Sequence, residues 1–188
     1  MTGDSTATQA STTDVADDRW LRSLVREVRD FPTPGVTFRD ITPVLGDAAA
    51  FRRTVDELAA RFGDVQVDRV VGVESRGFIL AAPVAYNLGA SFVPVRKAGK
   101  LPWAVVREEY SLEYGSDKLE IHRDAIHPDE RILVIDDVLA TGGTAAATAR
   151  LVEALGGSLV GIGILIEITA LGGRAALGGR RLEALASY

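Results

Sequence analysis

Cysteine is absent from all 188 residues, which excludes a disulfide framework and any thiolate metal centre. Histidine is nearly absent, with His122 and His127 the only two. No Gly-x-x-x-x-Gly-Lys-Ser/Thr run occurs, so a Walker-type nucleotide loop is excluded. Long apolar runs are missing too, since the longest, residues 159–166, falls far short of a bilayer span. Residues 1–14 are rich in Thr, Ser and Ala and lack the basic start and apolar stretch of a signal peptide. A cytoplasmic protein with no membrane partner is expected. Basic charge is not in excess: 26 acidic side chains face 21 basic ones, so no whole-surface footprint for nucleic acid is present. A local basic cluster can still hold a phosphorylated small molecule. No Pro/Ser-rich linker divides the chain, and 47% hydrophobic content suits one full-sized core. Residues 1–14 therefore read as a disordered tail and 15–188 as one domain.

What is present begins with helical spacing. Trp20, Leu21, Leu24, Val25 and Val28 follow Asp17 and Asp18, acids that suit a helix N-terminus. Residues 31–35 interrupt this helix, and 36–41 read as extended. Phe51, Val55, Leu58, Ala59 and Phe62 mark a second amphipathic helix, closed by Gly63. Apolar strand-like runs follow at 69–73, 91–95, 131–135 and 159–166, with helical stretches ending near Asn87 and covering 145–155. Runs apolar on both faces, alternating with helices, predict an α/β fold with a mostly parallel central sheet flanked by helices. Residues 97–128 depart from that rhythm. Within them 118–123 alternate like an exposed strand, and 99–115 read as a flexible lid loop.

The densest chemistry lies in Ile132-Leu133-Val134-Ile135-Asp136-Asp137-Val138-Leu139-Ala140-Thr141-Gly142-Gly143-Thr144. A buried strand delivers two carboxylates to its end, and a loop of small residues opens into a helix. In open α/β sheets ligands sit at that edge. Gly142 and Gly143 let the backbone approach closely, Thr141 and Thr144 add hydroxyls, and the helix N-terminus presents free N–H groups, so a phosphate fits. Asp136 beside Asp137 is costly unless a cation or hydroxyls enter, and a ribose diol with Mg²⁺ supplies both. Glu74-Ser75-Arg76-Gly77 follows another strand at the same edge. Arg96, Lys97 and Lys100 place three cations within five residues, able to neutralise pyrophosphate charge.

Residues 132–144 resemble the phosphoribosyl diphosphate-binding signature of the type I phosphoribosyltransferases. Residues 31–43, 74–77, 96–102 and 110–115 narrow the resemblance to the adenine phosphoribosyltransferases, in matching order from about Leu21 to Gly173. The resemblance implies the type I fold with a lid loop and a small N-terminal hood. It implies transfer of 5-phosphoribosyl from phosphoribosyl diphosphate to adenine, giving AMP and pyrophosphate. Ala140, Thr141, Gly142, Gly143 and Thr144 would hold the 5-phosphate, with Asp136 and Asp137 facing the ribose hydroxyls. Glu74, Ser75 and Arg76 would take pyrophosphate, helped by Arg96, Lys97 and Lys100. Glu113 would act as acid/base at the purine N7, Phe38 would stack on the base, and Thr37 and Arg39 would act through their main chains. Mg²⁺ would arrive with the substrate and take no direct protein ligand. Part of segment 96–102 reaches the neighbouring subunit in the family, which implies a homodimer.

Two alternatives stay open, a 6-oxopurine phosphoribosyltransferase and a non-catalytic regulator of the same fold. Others fit poorly. Val73-Glu74-Ser75-Arg76-Gly77 approximates a nucleophile elbow but begins with Val, and both histidines sit in or beside the lid region. Gly161-Ile162-Gly163 lacks the third glycine of a dinucleotide loop. Residues 177–188 are expected not to touch the site.

Overall fold

The computed structural model describes residues 18–112 and 115–188, so the proposed tail lies outside the described residues. Helix α1 (Arg19–Leu24) is shorter than its periodicity predicts, because the chain turns extended at Val25 and enters β1 (Arg26–Arg29). That strand pairs antiparallel with β2 (Thr37–Asp40), setting Val28 opposite Phe38. Strand pairing outweighs local helical preference here. A short helix, α2 (Thr42–Gly46), follows unannounced by any hydrophobic period. Helix α3 (Ala48–Ala60) opens as sequence chemistry requires, with the Asp47 carboxylate accepting from the Ala50 N–H at 2.8 Å.

The central unit then runs β3 (Arg69–Val73), α4 (Arg76–Leu88), β4 (Ser91–Lys97), β5 (Val105–Leu112), β6 (Gly115–His122), β7 (Arg131–Leu139), α5 (Gly143–Ala154), β8 (Ser158–Glu167) and β9 (Leu182–Ser187). These seven strands stand in the order β5-β6-β4-β3-β7-β8-β9. The five from β4 to β9 are mutually parallel, while β6 and β5 join antiparallel at one edge. The segment read as a lid loop is thus, where described, a two-stranded ribbon continuing the sheet. The last strand, hard to place from composition, is the opposite edge.

Alternation along β7 shows how the layers form. Leu133 and Ile135 enter one core with Leu58, Leu80 and Val84, while Ile132 and Val134 enter another with Ala147 and Leu151. Helices α3 and α4 cover the first face and α5 the second, so the central strands are apolar on both sides. Gly161 and Gly163 lie on β8 because Phe62 packs there: a Cβ at Gly161 would sit 2.4 Å from the Phe62 ring. Those glycines serve packing.

At the end of the sheet opposite the turns after β3 and β7, Arg131 grips Asp68 through two guanidinium hydrogen bonds of 2.8 Å, and Arg69 grips Glu130 at 2.6 and 2.8 Å. The Arg131 hydrogen bonds hold the Asp68 carboxyl down at about 2. A depressed folded pKa stabilises above the unfolded value, near 4, and that contribution is lost as pH falls through about 2. The difference in melting temperature between wild type and Asp68→Asn should be steady from about pH 7 to about 5 and shrink below about 4. A gap independent of pH would dismiss the ion pair as its source.

Candidate active site

The turns after β3 and after β7 meet at the C-terminal edge of the parallel strands, where they wall a cleft of about 520 Å³. Glu74, Ser75, Arg76 and Lys97 line it together with Asp136, Asp137, Ala140 and Thr144, all expected from sequence. Tyr110 from β5 and Leu119 from β6 also line it, although no motif marked them. A smaller hollow of about 70 Å³ opens beside it over residues 138–145, which places Thr141, Gly142 and Gly143 on an accessible concavity. Glu113 lies outside the described residues. His122 and His127 line neither space, which removes the hydrolase reading.

The loop before α5 presents free N–H groups of a kind that suits an anion. Gly142 caps the helix at φ +83° without any side-chain cap, and the first intrahelical bond runs from the Ala146 N–H to the Gly142 carbonyl at 2.9 Å. The earlier N–H groups of this 12-residue helix therefore lack intrahelical acceptors and concentrate the positive end of its dipole. The back of the loop is pressed against a 3₁₀ turn (Gly173–Leu177), where a Cβ on Gly142 would meet the Gly173 carbonyl at 2.3 Å. A Cβ on Gly173 would meet the Ala140 carbonyl at the same 2.3 Å. Arg174 ties this turn to buried Glu167 at the end of β8 with hydrogen bonds of 2.7 and 2.8 Å. Sequence reading missed Gly173 because a backbone contact leaves no local pattern.

Both aspartates lie within β7, just before that loop, and are 8% and 7% exposed. The Asp136 carboxylate accepts the Asp137 N–H at 2.9 Å. Burial, and then the neighbouring Asp137 charge, push the Asp136 carboxyl well above the usual carboxylate range. Arg76 approaches Asp137 at 2.6 Å as an ion pair, yet the contacted oxygen makes no well-aligned hydrogen bond. Gly77 makes room for this pair, since a Cβ there would lie 2.7 Å from the Asp136 Oδ1.

The basic cluster is organised around acids. Glu74 receives Lys100, the Lys97 N–H at 3.1 Å, and Arg96 as an ion pair at 3.3 Å. Burial opposes ionisation of Glu74, but these contacts outweigh it and hold its carboxyl below the ordinary range. Lys97 reaches Asp117 on β6 at 3.1 Å, which raises the lysine's pKa. Glu74 is thus a scaffold for the cations, with Arg96 and Lys100 brought to the cleft edge through it and outside the cleft lining itself.

The β1–β2 ribbon brings Phe38 to Arg76, although Phe38 itself is not part of the cleft lining. Its ring lies 5.3 Å from the Arg76 guanidinium and edge-on to Phe31 at 5.3 Å. Phe31 and Val36 are half exposed, which leaves an apolar platform beside Arg76. Thr37 and Arg39 do not line the cleft, and the Arg39 side chain turns to Glu27 and the Tyr188 ring. Residues 177–188 therefore do touch a residue of the expected site, contrary to the sequence reading.

Residues 45–175 match the model of the phosphoribosyl transferase domain. An adenine phosphoribosyltransferase of Trichormus variabilis is 56% identical over 156 residues, covering 82% of this chain and 91% of the relative. The crystal structure of adenine phosphoribosyltransferase from Thermoanaerobacter pseudethanolicus superposes with a TM-score of 0.89 at 47% identity, over 91% of this chain and 99% of that one. The Saccharomyces cerevisiae enzyme, solved with an iminoaltritol bisphosphate and adenine, has a TM-score of 0.85 at 37% identity, over 89% and 97% of the two chains.

Proposed function

Because the chain belongs to the phosphoribosyltransferase family, we propose that it transfers 5-phosphoribosyl from phosphoribosyl diphosphate to adenine. The products are AMP and pyrophosphate, a step of purine salvage. The observation that carries this reading is the joining, at one cleft, of an anion-binding helix terminus, a pair of buried aspartates and a cluster of cations. The 5-phosphate sits on the N–H groups of residues 141–145, and the leaving pyrophosphate faces Arg76 and Lys97. The base N9 bonds to the anomeric carbon as the bond to pyrophosphate breaks and its electron pair leaves with pyrophosphate. Glu113 handles the proton at N7, and Phe38 offers a face for the purine.

Mg²⁺ would be carried by the oxygens of phosphoribosyl diphosphate and lie near Asp136 and Asp137, whose carboxyls would face the ribose hydroxyls. When bound, that ion spreads the negative charge of the pyrophosphate. Keeping water from the cationic sugar is a task for closure over residues 99–115.

A homodimer belongs to the same proposal. Ile79 and Tyr86 stand 44% and 90% exposed at helical spacing on α4, an apolar face suited to a second copy. Light scattering should give about twice 20.0 kDa.

The functional test is turnover with Mg²⁺, phosphoribosyl diphosphate and either adenine or hypoxanthine. AMP from adenine, with slow or no product from hypoxanthine, is expected. No AMP from folded protein overturns the assignment, and preference for hypoxanthine moves it to the 6-oxopurine enzymes. Glu113→Gln should depress turnover with little change in donor KM.

A further inference from the structure

We infer that Tyr188 is a positioning residue for the base subsite, acting through Arg39 on the strand that carries Phe38; this rests on the adenine reading above. The starting point is a weakness in the architecture. The β1–β2 ribbon forms a sheet of its own, with no ladder to the seven-stranded sheet. A lone two-stranded ribbon is marginally stable. The position of Phe38 beside Arg76 at the cleft therefore depends on side-chain contacts, and Phe38 can meet a base only if the ribbon is held.

Tyr188 supplies such a hold. Its own backbone is fixed to the main sheet: its N–H donates to the Glu167 carbonyl at 2.8 Å, and its carbonyl accepts from the Thr169 N–H at 2.8 Å and hydroxyl at 2.6 Å. On its ring lie two guanidinium groups, Arg39 of β2 at 4.3 Å and Arg22 of α1 at 4.7 Å from the centroid. Each cation is also paired with an acid, Arg39 with Glu27 and Arg22 with Asp18, which limits their mutual repulsion. Arg22 further donates to the Ser187 carbonyl. One aromatic ring thus joins both N-terminal elements to the end of β9.

The hydroxyl plays no part in this hold, because it is buried without a hydrogen-bond partner among the described residues. The ring is what matters, and that separates a stacking role from a polar one. Tyr188→Phe keeps the ring and should match wild type in all constants. Tyr188→Leu keeps apolar bulk but loses the π face, and should raise the KM for adenine by about five- to tenfold. The KM for phosphoribosyl diphosphate should stay within about twofold, since the anion site is built on β7 and α5. If the leucine variant does not fold, Arg39→Gln removes the partner cation and should give the same selective rise.

Unchanged adenine KM in either variant, a parallel rise in both KM values, or a phenylalanine variant as impaired as leucine would each overturn the positioning role. Wild type that makes AMP while these variants behave so defeats this inference alone. Wild type that makes no AMP defeats the functional reading, and this role with it.

Discussion

Asp136→Asn should yield a protein more resistant to heat at neutral pH and almost without activity. The enclosed carboxyl of Asp136 is pushed upward by burial and by the Asp137 charge. A carboxyl with a raised folded pKa binds its proton more tightly in the native state than in the unfolded chain. It therefore costs stability as pH rises above the ordinary carboxylate range, and the cost stops growing beyond the folded pKa. Asparagine is nearly isosteric, can still accept the Asp137 N–H, and carries no charge to desolvate. The melting temperature should rise by roughly 2–4 °C at about pH 7, with the gain fading near about pH 4. Catalysis should move the other way. If, as proposed, the pair faces the ribose and its cation, removing one carboxylate should lower kcat/KM for the donor by about 10²–10³-fold. Circular dichroism melts and initial rates on one preparation decide the matter. Retained activity would take Asp136 out of the donor site, and lost stability at both pH values would refute the desolvation argument.

Gly142→Ala should cripple donor binding from the opposite direction, by moving the loop. Two penalties coincide at this residue. Its φ of +83° is strained for any side chain, and the added Cβ would press on the Gly173 carbonyl at 2.3 Å. A backbone carbonyl cannot swing aside as a side-chain end can, so the loop must shift. Displacement near 1 Å of a phosphate cradle can cost about a hundredfold, and the KM for phosphoribosyl diphosphate should rise on that order. The strain should also cost about 1–3 kcal/mol of stability. Gly179→Ala is the control: its φ is +80°, yet nothing lies within 4 Å of an added Cβ. That variant should lose stability and keep its donor KM. Equal donor KM in wild type and Gly142→Ala would show that the loop does not hold the phosphate.

Much of this was readable in advance, and the reasons are local. Strand β3 matched its apolar run to the residue, and α5 began two residues before its alanine-rich stretch. Both follow from side-chain periodicity. The loop opening into α5 was legible because paired acids, two glycines and a helix start act over neighbouring peptide groups. Reading α1 through Val28 failed because β1 owes its form to pairing with β2, from Arg26 opposite Asp40 to Arg29 opposite Thr37. Residues 105–112 have no clear alternation in sequence, and become a strand by pairing with β6.

From the sequence alone came the parallel α/β plan, the family resemblance, and the residue types proposed to meet a sugar-borne phosphate. Periodicity and contiguous motifs are properties of neighbouring residues, and these need no tertiary knowledge. The folded chain alone decided that Glu74 gathers the cations, that Gly173 backs Gly142, and that Tyr188 lies under Arg39. Such contacts join residues far apart in the chain, and their energy depends on distance and burial, which only packing defines.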